Sequence, residues 1–365
     1  YDFNLHMSEM LGESPNLLVS NHSYSTIAGW FFNETQNRWE FHGQSGATQD
    51  YKFGYYSSDA QMWDSIAYNA PNYLIVKASG NNRSENGPAV GQPYFRFNVN
   101  GQMASAGNRP ANISNNDSYD CLPTYGVAKN ILTVGAINPI TSGYARPEDV
   151  LITDFSTWGP TDDGRIKPDV VADGVDLLSS TAGSNNEYGF FSGTSMASPS
   201  AAGSVLLLQE YYSRLHGGVF IKSSTLKGII IHTADEAGTN PGPDYQMGWG
   251  LINMQKAASV ITSNNTDQLI LENVLNQSAT FTQNVVASGK GPLTVTICWT
   301  DPNGEVETTN LLNNTAKKLV NDLDVRVTRG ATTYMPWILN PGNRTAAATT
   351  GDNTLDNVEK IVIPD

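Results

Sequence analysis

A serine can act as a nucleophile when it is exposed, closely approached by backbone and set in local positive potential. The segment Phe191-Ser192-Gly193-Thr194-Ser195-Met196-Ala197-Ser198-Pro199 has the residue types for this. Gly193 permits a tight entry. Ser195 then opens a helical pattern, whose unpaired N–H groups and dipole favour negative charge beside it. Pro199 has no N–H, so it cannot bond the Ser195 carbonyl four residues back, and the first turn is loosened there. Ala197, Ala201, Ala202 and Gly203 are small enough to let this helix lie close to a sheet. A second polar group, Asn81, closes Ala78-Ser79-Gly80-Asn81 directly after an apolar run. Taken alone, an asparagine after a glycine reads as a turn residue.

The elements that must position these groups follow from the apolar pattern. Leu17-Leu18-Val19-Ser20, Tyr73-Leu74-Ile75-Val76 and Ile131-Leu132-Thr133-Val134 read as buried strands bounded by turn residues. Between the first two, Ser58-Asp59-Ala60-Gln61 has the form of a capping box, followed by Met62, Trp63, Ile66 and Ala67 at helical spacing. Strand, helix and strand in that order imply right-handed crossovers and a parallel sheet covered on both faces. After Ser195 a long helix should bury Ala201, Ala202, Val205, Leu206 and Leu208. Beyond the polar stretch Ser263-Asn264-Asn265-Thr266 the period becomes two. Leu293, Val295, Ile297 and Trp299 alternate with Thr294, Thr296, Cys298 and Thr300, and Leu323, Val325 and Val327 with Asp324, Arg326 and Thr328. Half-buried antiparallel strands give that pattern, so residues 263–365 are expected to form a truncated β-sandwich domain, jelly-roll-like, after a domain spanning 1–262.

With 365 residues, 39% of them hydrophobic, the chain can bury a large core. Its formal charge of −14 opposes binding to phosphate backbones, so nucleic acid is not an expected partner. No apolar run reaches the roughly 18 residues that a bilayer span needs. Cys121 and Cys298 fall in different expected domains; a bridge between them is open, but nothing local brings them together.

The stretch around Ser195 resembles the nucleophile motif of the subtilase family, Gly-Thr-Ser-Met-Ala-Ser/Ala-Pro, without a departure. Ala78-Ser79-Gly80-Asn81 is similar to the family's Ala-x-Gly-Asn. Phe155-Ser156-Thr157-Trp158-Gly159-Pro160, Lys167-Pro168-Asp169-Val170-Val171-Ala172 and Gly248-Trp249-Gly250-Leu251-Ile252-Asn253 follow in the family's order. The resemblance covers roughly residues 1–260. It implies an α/β fold, the subtilisin-like doubly wound parallel sheet, here without its N-terminal part. It further implies a serine endopeptidase that hydrolyses peptide bonds through an acyl-enzyme on Ser195. The oxyanion would be held by the Asn81 amide and the Ser195 backbone N–H; in subtilisin, losing such a donor costs roughly 10²–10³ in turnover. Val19-Ser20-Asn21-His22-Ser23-Tyr24-Ser25 resembles the strand forming one wall of the substrate cleft, which pairs with extended polypeptide substrates. Ser23, Tyr24 and Ser25 would face the primary side-chain pocket, with Ala78, Ser79 and Gly80 opposite. The resemblance also implies export, to the medium or the cell surface.

The family orders its triad Asp, His, Ser along the chain. Neither an Asp-Thr/Ser-Gly turn nor His-Gly-Thr-His occurs here. Among the five histidines, His42-Gly43 is the nearest textual match but lies after the cleft strand, and strand alternation points His22 away from Ser23. Tyr1-Asp2-Phe3, read as a strand, and a helix containing Ser8, Glu9 and Met10 correspond to family elements that follow both missing triad members. The expected partner is therefore an N-terminal fragment of the same protease carrying Asp and His. Without it Ser195 has no base, and this polypeptide alone is expected to be nearly inert. A non-catalytic protein of the same fold, binding through cleft or sandwich, is the alternative; retention of Ser195 together with Asn81 favours the enzyme. Finally, Cys298-Trp299-Thr300-Asp301-Pro302 and Leu319-Val320-Asn321-Asp322-Leu323-Asp324 resemble a β-sandwich that follows the catalytic domain in some secreted bacterial subtilases and often holds calcium. Asp301, Asp322 and Asp324 are the candidate Ca²⁺ ligands. A solvated acidic edge that discourages strand addition is the competing reading.

Overall fold

The computed structural model describes residues 6–289 and 291–364. The strand expected at Tyr1-Asp2-Phe3 lies outside them. In chain order the elements are α1 (His6–Glu13), β1 (Val19–His22), β2 (Trp30–Asn33), β3 (Arg38–Phe41), α2 (Ser58–Asn69), β4 (Leu74–Ala78), β5 (Pro93–Phe97), β6 (Met103–Asn108) and β7 (Leu132–Ile137). There follow β8 (Val170–Asp173), β9 (Leu177–Ser180), β10 (Tyr188–Phe191), α3 (Thr194–Leu215), α4 (Ser223–Thr233) and α5 (Met254–Thr262). The C-terminal part holds β11 (Leu293–Cys298), β12 (Val327–Arg329), β13 (Thr332–Tyr334), β14 (Trp337–Ile338), β15 (Thr349–Thr350) and β16 (Val358–Ile363).

The central sheet has the order β1-β4-β7-β8 with every pair parallel. A parallel sheet survives only when both faces are covered, and both are. Leu74, Val76, Leu132, Val134 and Val170 pack with Ala201, Val205 and Leu208 of α3 and with the isoleucines of α4. On the other face Ile75 and Tyr73 pack with Trp63, Ile66 and Ala67 of α2. The three expected strands are therefore three of the sheet's four, displaced by one or two residues toward the C-terminus, and β8 is the fourth.

Two details of the helices differ from the sequence reading. The N-cap of α2 is Ser57, whose hydroxyl accepts from the Ala60 N–H at 3.3 Å; Ser58 is already helical. Met62 and Leu206, expected in the core, are 41% and 49% exposed. Each sits about 100° around its helix from a neighbour that is buried, so a run of adjacent apolar residues cannot all face inward.

A second sheet, β2-β3-β5-β6, went unread in the sequence. Its β3–β5 pairing is parallel and joins residues more than 50 positions apart, so no local hairpin signal announces it. It closes over Trp30, Phe41, Tyr94 and Ile113.

After residue 262 the described chain forms three two-stranded antiparallel ladders, β11–β16, β12–β13 and β14–β15. The alternating stretch Leu323–Thr328 joins a ladder only from Val327; the Val325 N–H instead donates to Glu359 Oε2 at 2.6 Å. This region is bonded into the first. Lys129 and Asp301, both fully buried, form an ion pair at 2.6 Å, while Asn130 exchanges hydrogen bonds with the Asp301 backbone. The Ile166 N–H donates to Asp356 and the Lys318 N–H to Asp163. Cys121 and Cys298 are both free thiols.

Candidate active site

Ser195 lies in the first turn of α3 and is half-buried. Its loop is held from below: the Gly193 N–H donates to the Gly174 carbonyl at 2.7 Å, and the Gly193 carbonyl accepts from Met196 N–H at 2.9 Å. Gly193 has φ +152°, a backbone that residues with side chains rarely adopt. A β-carbon there would sit 3.2 Å from Asn81 Nδ2 and 3.6 Å from the Ser195 nitrogen. The Asn81 amide and the Ser195 N–H thus border the same small space.

Asn81 reaches that space from the end of β4, and its orientation is fixed through its oxygen. Asn81 Oδ1 accepts from both the Thr194 N–H, at 2.9 Å, and the Thr194 hydroxyl, at 2.8 Å. The Thr194 hydroxyl in turn accepts from the Gly80 N–H at 3.1 Å. With Oδ1 committed to donors, the NH₂ group is the end left to donate. Two donors that border one space are the arrangement needed to hold an oxygen that gains negative charge.

The carbonyl that Pro199 leaves without a helical partner is filled from the residue that follows β1. Ser23 Oγ donates to the Ser195 carbonyl at 3.0 Å. Asn21 Nδ2 donates to Ser23 Oγ at 3.1 Å, and Ser198 Oγ donates to Asn21 Oδ1 at 2.7 Å. This chain of bonds ties the loosened first turn to the edge of the sheet. Asn21 and Ser198 were missed in the sequence; the available signal was a polar residue inside a strand that should otherwise be apolar.

The remaining expected pocket residues take different positions. Tyr24 packs against the α2 side of the sheet, with its hydroxyl 2.6 Å from His22 Nδ1. Ser25 is exposed, whereas Ala78, Ser79 and Gly80 are buried. Ser79 Oγ and Thr157 Oγ1 are buried without a hydrogen-bond partner among the described residues, and Thr157 stands beside Gly80.

No imidazole hydrogen-bonds the Ser195 hydroxyl among the described residues. His22 is buried, its Nε2 2.7 Å from Ser20 Oγ and its ring against Trp63. His42 sits 3.2 Å from Glu40, where burial and the Lys52 charge push its pKa down despite that carboxylate. His216 stacks on Tyr212. His232 is half-buried beside Thr296, and desolvation there pushes its pKa down to about 4.

The three expected calcium ligands do not converge, and they do not fit a shared ion. Asp301 accepts from Lys129 Nζ and from the Val320 and Asn321 N–H groups, so its oxygens are filled. Asp322 pairs with Lys317 and Asp324 with Arg326. No three His, Cys, Asp or Glu side chains come together as a metal site among the described residues. Protein cations stand where the resemblance implied a metal.

The model of the Subtilase family matches residues 14–250, most of the chain. The chain belongs to the subtilase family. This subtilase is 35% identical over 146 residues to a C5a peptidase of Streptococcus pyogenes serotype M6, covering 37% of the chain and 12% of that relative. It is 25% identical to the serine protease/ABC transporter B family protein tagD of Dictyostelium discoideum, over 85% of the chain and 22% of the relative. The subtilase thus spans less than a quarter of the length of either. The solved self-cleaved protease domain of PatA superposes with a TM-score of 0.42 at 18% identity, over 72% of this chain and 68% of that one.

Proposed function

We propose that this chain is the nucleophile-bearing part of a serine endopeptidase. The observation that carries the reading is the fixed carboxamide of Asn81, whose NH₂ borders the same space as the Ser195 N–H. Ser195 Oγ would attack the scissile carbonyl, and the carbonyl oxygen, gaining charge, would be held between those two donors. The leaving amine would depart as the acyl-enzyme forms on Ser195, and water would later release the acid. The proton of Ser195 needs a base, which in this reading is a histidine, oriented by an aspartate, on another segment of the same protease.

A surface suited to such a segment adjoins the site. Among the described residues β1 is the outer strand of the parallel sheet, with one edge not paired by a neighbouring strand. Leu206 and Leu207 of α3, the helix that packs on β1, are exposed, as are Leu178, Tyr188 and Phe190 of the β9–β10 hairpin. Apolar surface of this extent ordinarily has a cover. No helix among the described residues is long and apolar enough to cross a membrane. We place the substrate, an extended polypeptide, along the wall formed by Ser23–Ser25 and Ala78–Gly80, in an exported enzyme.

A fluorophosphonate probe tests this. The complete protease should be labelled on Ser195, and Ser195→Ala should abolish labelling while leaving the fold intact. A complete protein that stays unlabelled refutes the reading and leaves a peptide-binding protein of subtilase fold.

A further inference from the structure

Lys77 lies in β4, just before the wall Ala78–Gly80, and is 1% exposed. Its Nζ donates to the Ala78 carbonyl at 2.7 Å. No carboxylate bonds it among the described residues, and burial pushes its pKa down to about 7. Three other buried lysines are compensated: Lys129 pairs with Asp301, while Lys167 and Lys227 share Asp169. A methionine would fill much the same volume at residue 77 without the cost of taking an amine out of water.

The strand ends decide where that amine sits. β4 runs between β1 and β7. The Ser79 N–H donates to Val134 O of β7 at 2.9 Å. In a trans peptide the N–H and C=O point opposite ways, so the Ala78 carbonyl points to the β1 side. The β1–β4 ladder has ended one residue earlier, at His22 and Lys77, and the amine takes this carbonyl. Its second neighbour belongs to the other wall: Nζ stands over the Tyr24 ring, 5.9 Å from its centre. Tyr24 is itself anchored back to β4. Its hydroxyl is 2.6 Å from His22 Nδ1, His22 Nε2 is 2.7 Å from Ser20 Oγ, and the Tyr73 hydroxyl donates to Ser20 Oγ at 2.6 Å.

We propose that Lys77 is a positioning residue of the cleft, holding the Ser23–Ser25 and Ala78–Gly80 walls at a fixed spacing through the Ala78 carbonyl and the Tyr24 ring. The inference rests on the cleft assigned above to the substrate. Past His22 and Lys77, no ladder pairing keeps the two chains at strand distance among the described residues. An amine that binds a carbonyl of one wall and faces a ring of the other supplies the missing link. Lys77 bonds neither Ser195 nor Asn81 among the described residues, so its effect falls on substrate binding rather than on the chemical step.

The test uses Lys77→Met in the complete protease, with steady-state kinetics on a peptide substrate and thermal unfolding at pH 6, where the buried amine is charged. KM should rise by about tenfold with kcat nearly unchanged, while the Tm equals or exceeds the parent's. A lysine that serves stability alone predicts the reverse, a lower Tm with KM unchanged. That result, or a variant that fails to fold, overturns the inference. Tyr24→Leu removes the ring beside Nζ and should also raise KM. The double variant should raise it by less than the product of the two single effects, because both act on one link; effects that simply multiply also overturn the inference. A parent that a fluorophosphonate does not label loses the protease reading itself, whereas a labelled parent with the same KM as Lys77→Met loses only the role of Lys77.

Discussion

Thr194 holds Asn81 by two hydrogen bonds to one oxygen, 2.9 Å from its N–H and 2.8 Å from its hydroxyl. The residue before Ser195 thereby decides which end of the carboxamide faces the space beside Ser195. Asn81→Leu in the complete protease should lower kcat by roughly 10²–10³ with KM little changed. Thr194→Val keeps the N–H bond and loses the hydroxyl one, so a loss of about tenfold is expected. Steady-state kinetics on a peptide substrate reads both, and an unchanged kcat in Asn81→Leu removes Asn81 from the oxyanion hole.

Ser23→Ala leaves the Ser195 carbonyl without its donor, in a turn that Pro199 has already deprived of one. The expected cost is about 1 kcal/mol of stability, read as a lower urea midpoint at constant m. Asn21→Ala should act through the same bonds, so the double variant should cost less than the two single losses together.

Lys129 and Asp301 join the two parts of the chain through a fully buried ion pair. Lys129→Met strands a buried carboxylate and should destabilise the protein by about 3–5 kcal/mol. Adding Asp301→Leu removes the stranded charge and should restore part of that loss. Urea denaturation measures both; equal stability of Lys129→Met and the parent would show that the two parts do not depend on this pair.

His232 is held neutral in the folded protein, its pKa pushed down to about 4 from an ordinary 6.5 by burial and the nearby Lys360. In this range the unfolded chain binds the extra proton first. Stability contributed by the neutral ring is complete above pH 6.5 and is lost as pH falls from there toward 4. The loss should reach up to about 3 kcal/mol, and His232→Gln should remove it. Parallel pH–stability curves for parent and variant between pH 7 and 4 would contradict this.

Much of the fold could be read from the sequence because it rests on local pattern. Continuous apolar runs at 17–20, 73–76 and 131–134 are what a strand buried on both faces requires, and Trp63, Ile66 and Ala67 mark the face of α2 that covers them. Gly193, Ser195 and Pro199 carry their chemistry in their own backbone limits, whatever surrounds them. The second sheet was not legible, since β3 and β5 meet only after a long excursion of the chain. The C-terminal ladders were legible as alternating strands, but the alternation at 323–328 did not say that the Val325 N–H would bond a side chain instead of a strand.

The sequence by itself determined a helix opening at Ser195, an asparagine at the end of a buried strand, and a proline that leaves a carbonyl open. Only the tertiary structure decided that Thr194 turns the Asn81 amide toward Ser195, that Ser23 fills the open carbonyl, and that Lys129 claims Asp301. Each of those is a contact between residues far apart in the chain. Residue types set which bonds a side chain is able to make; packing selects the partner, because a buried polar atom must bond whatever the fold brings within reach.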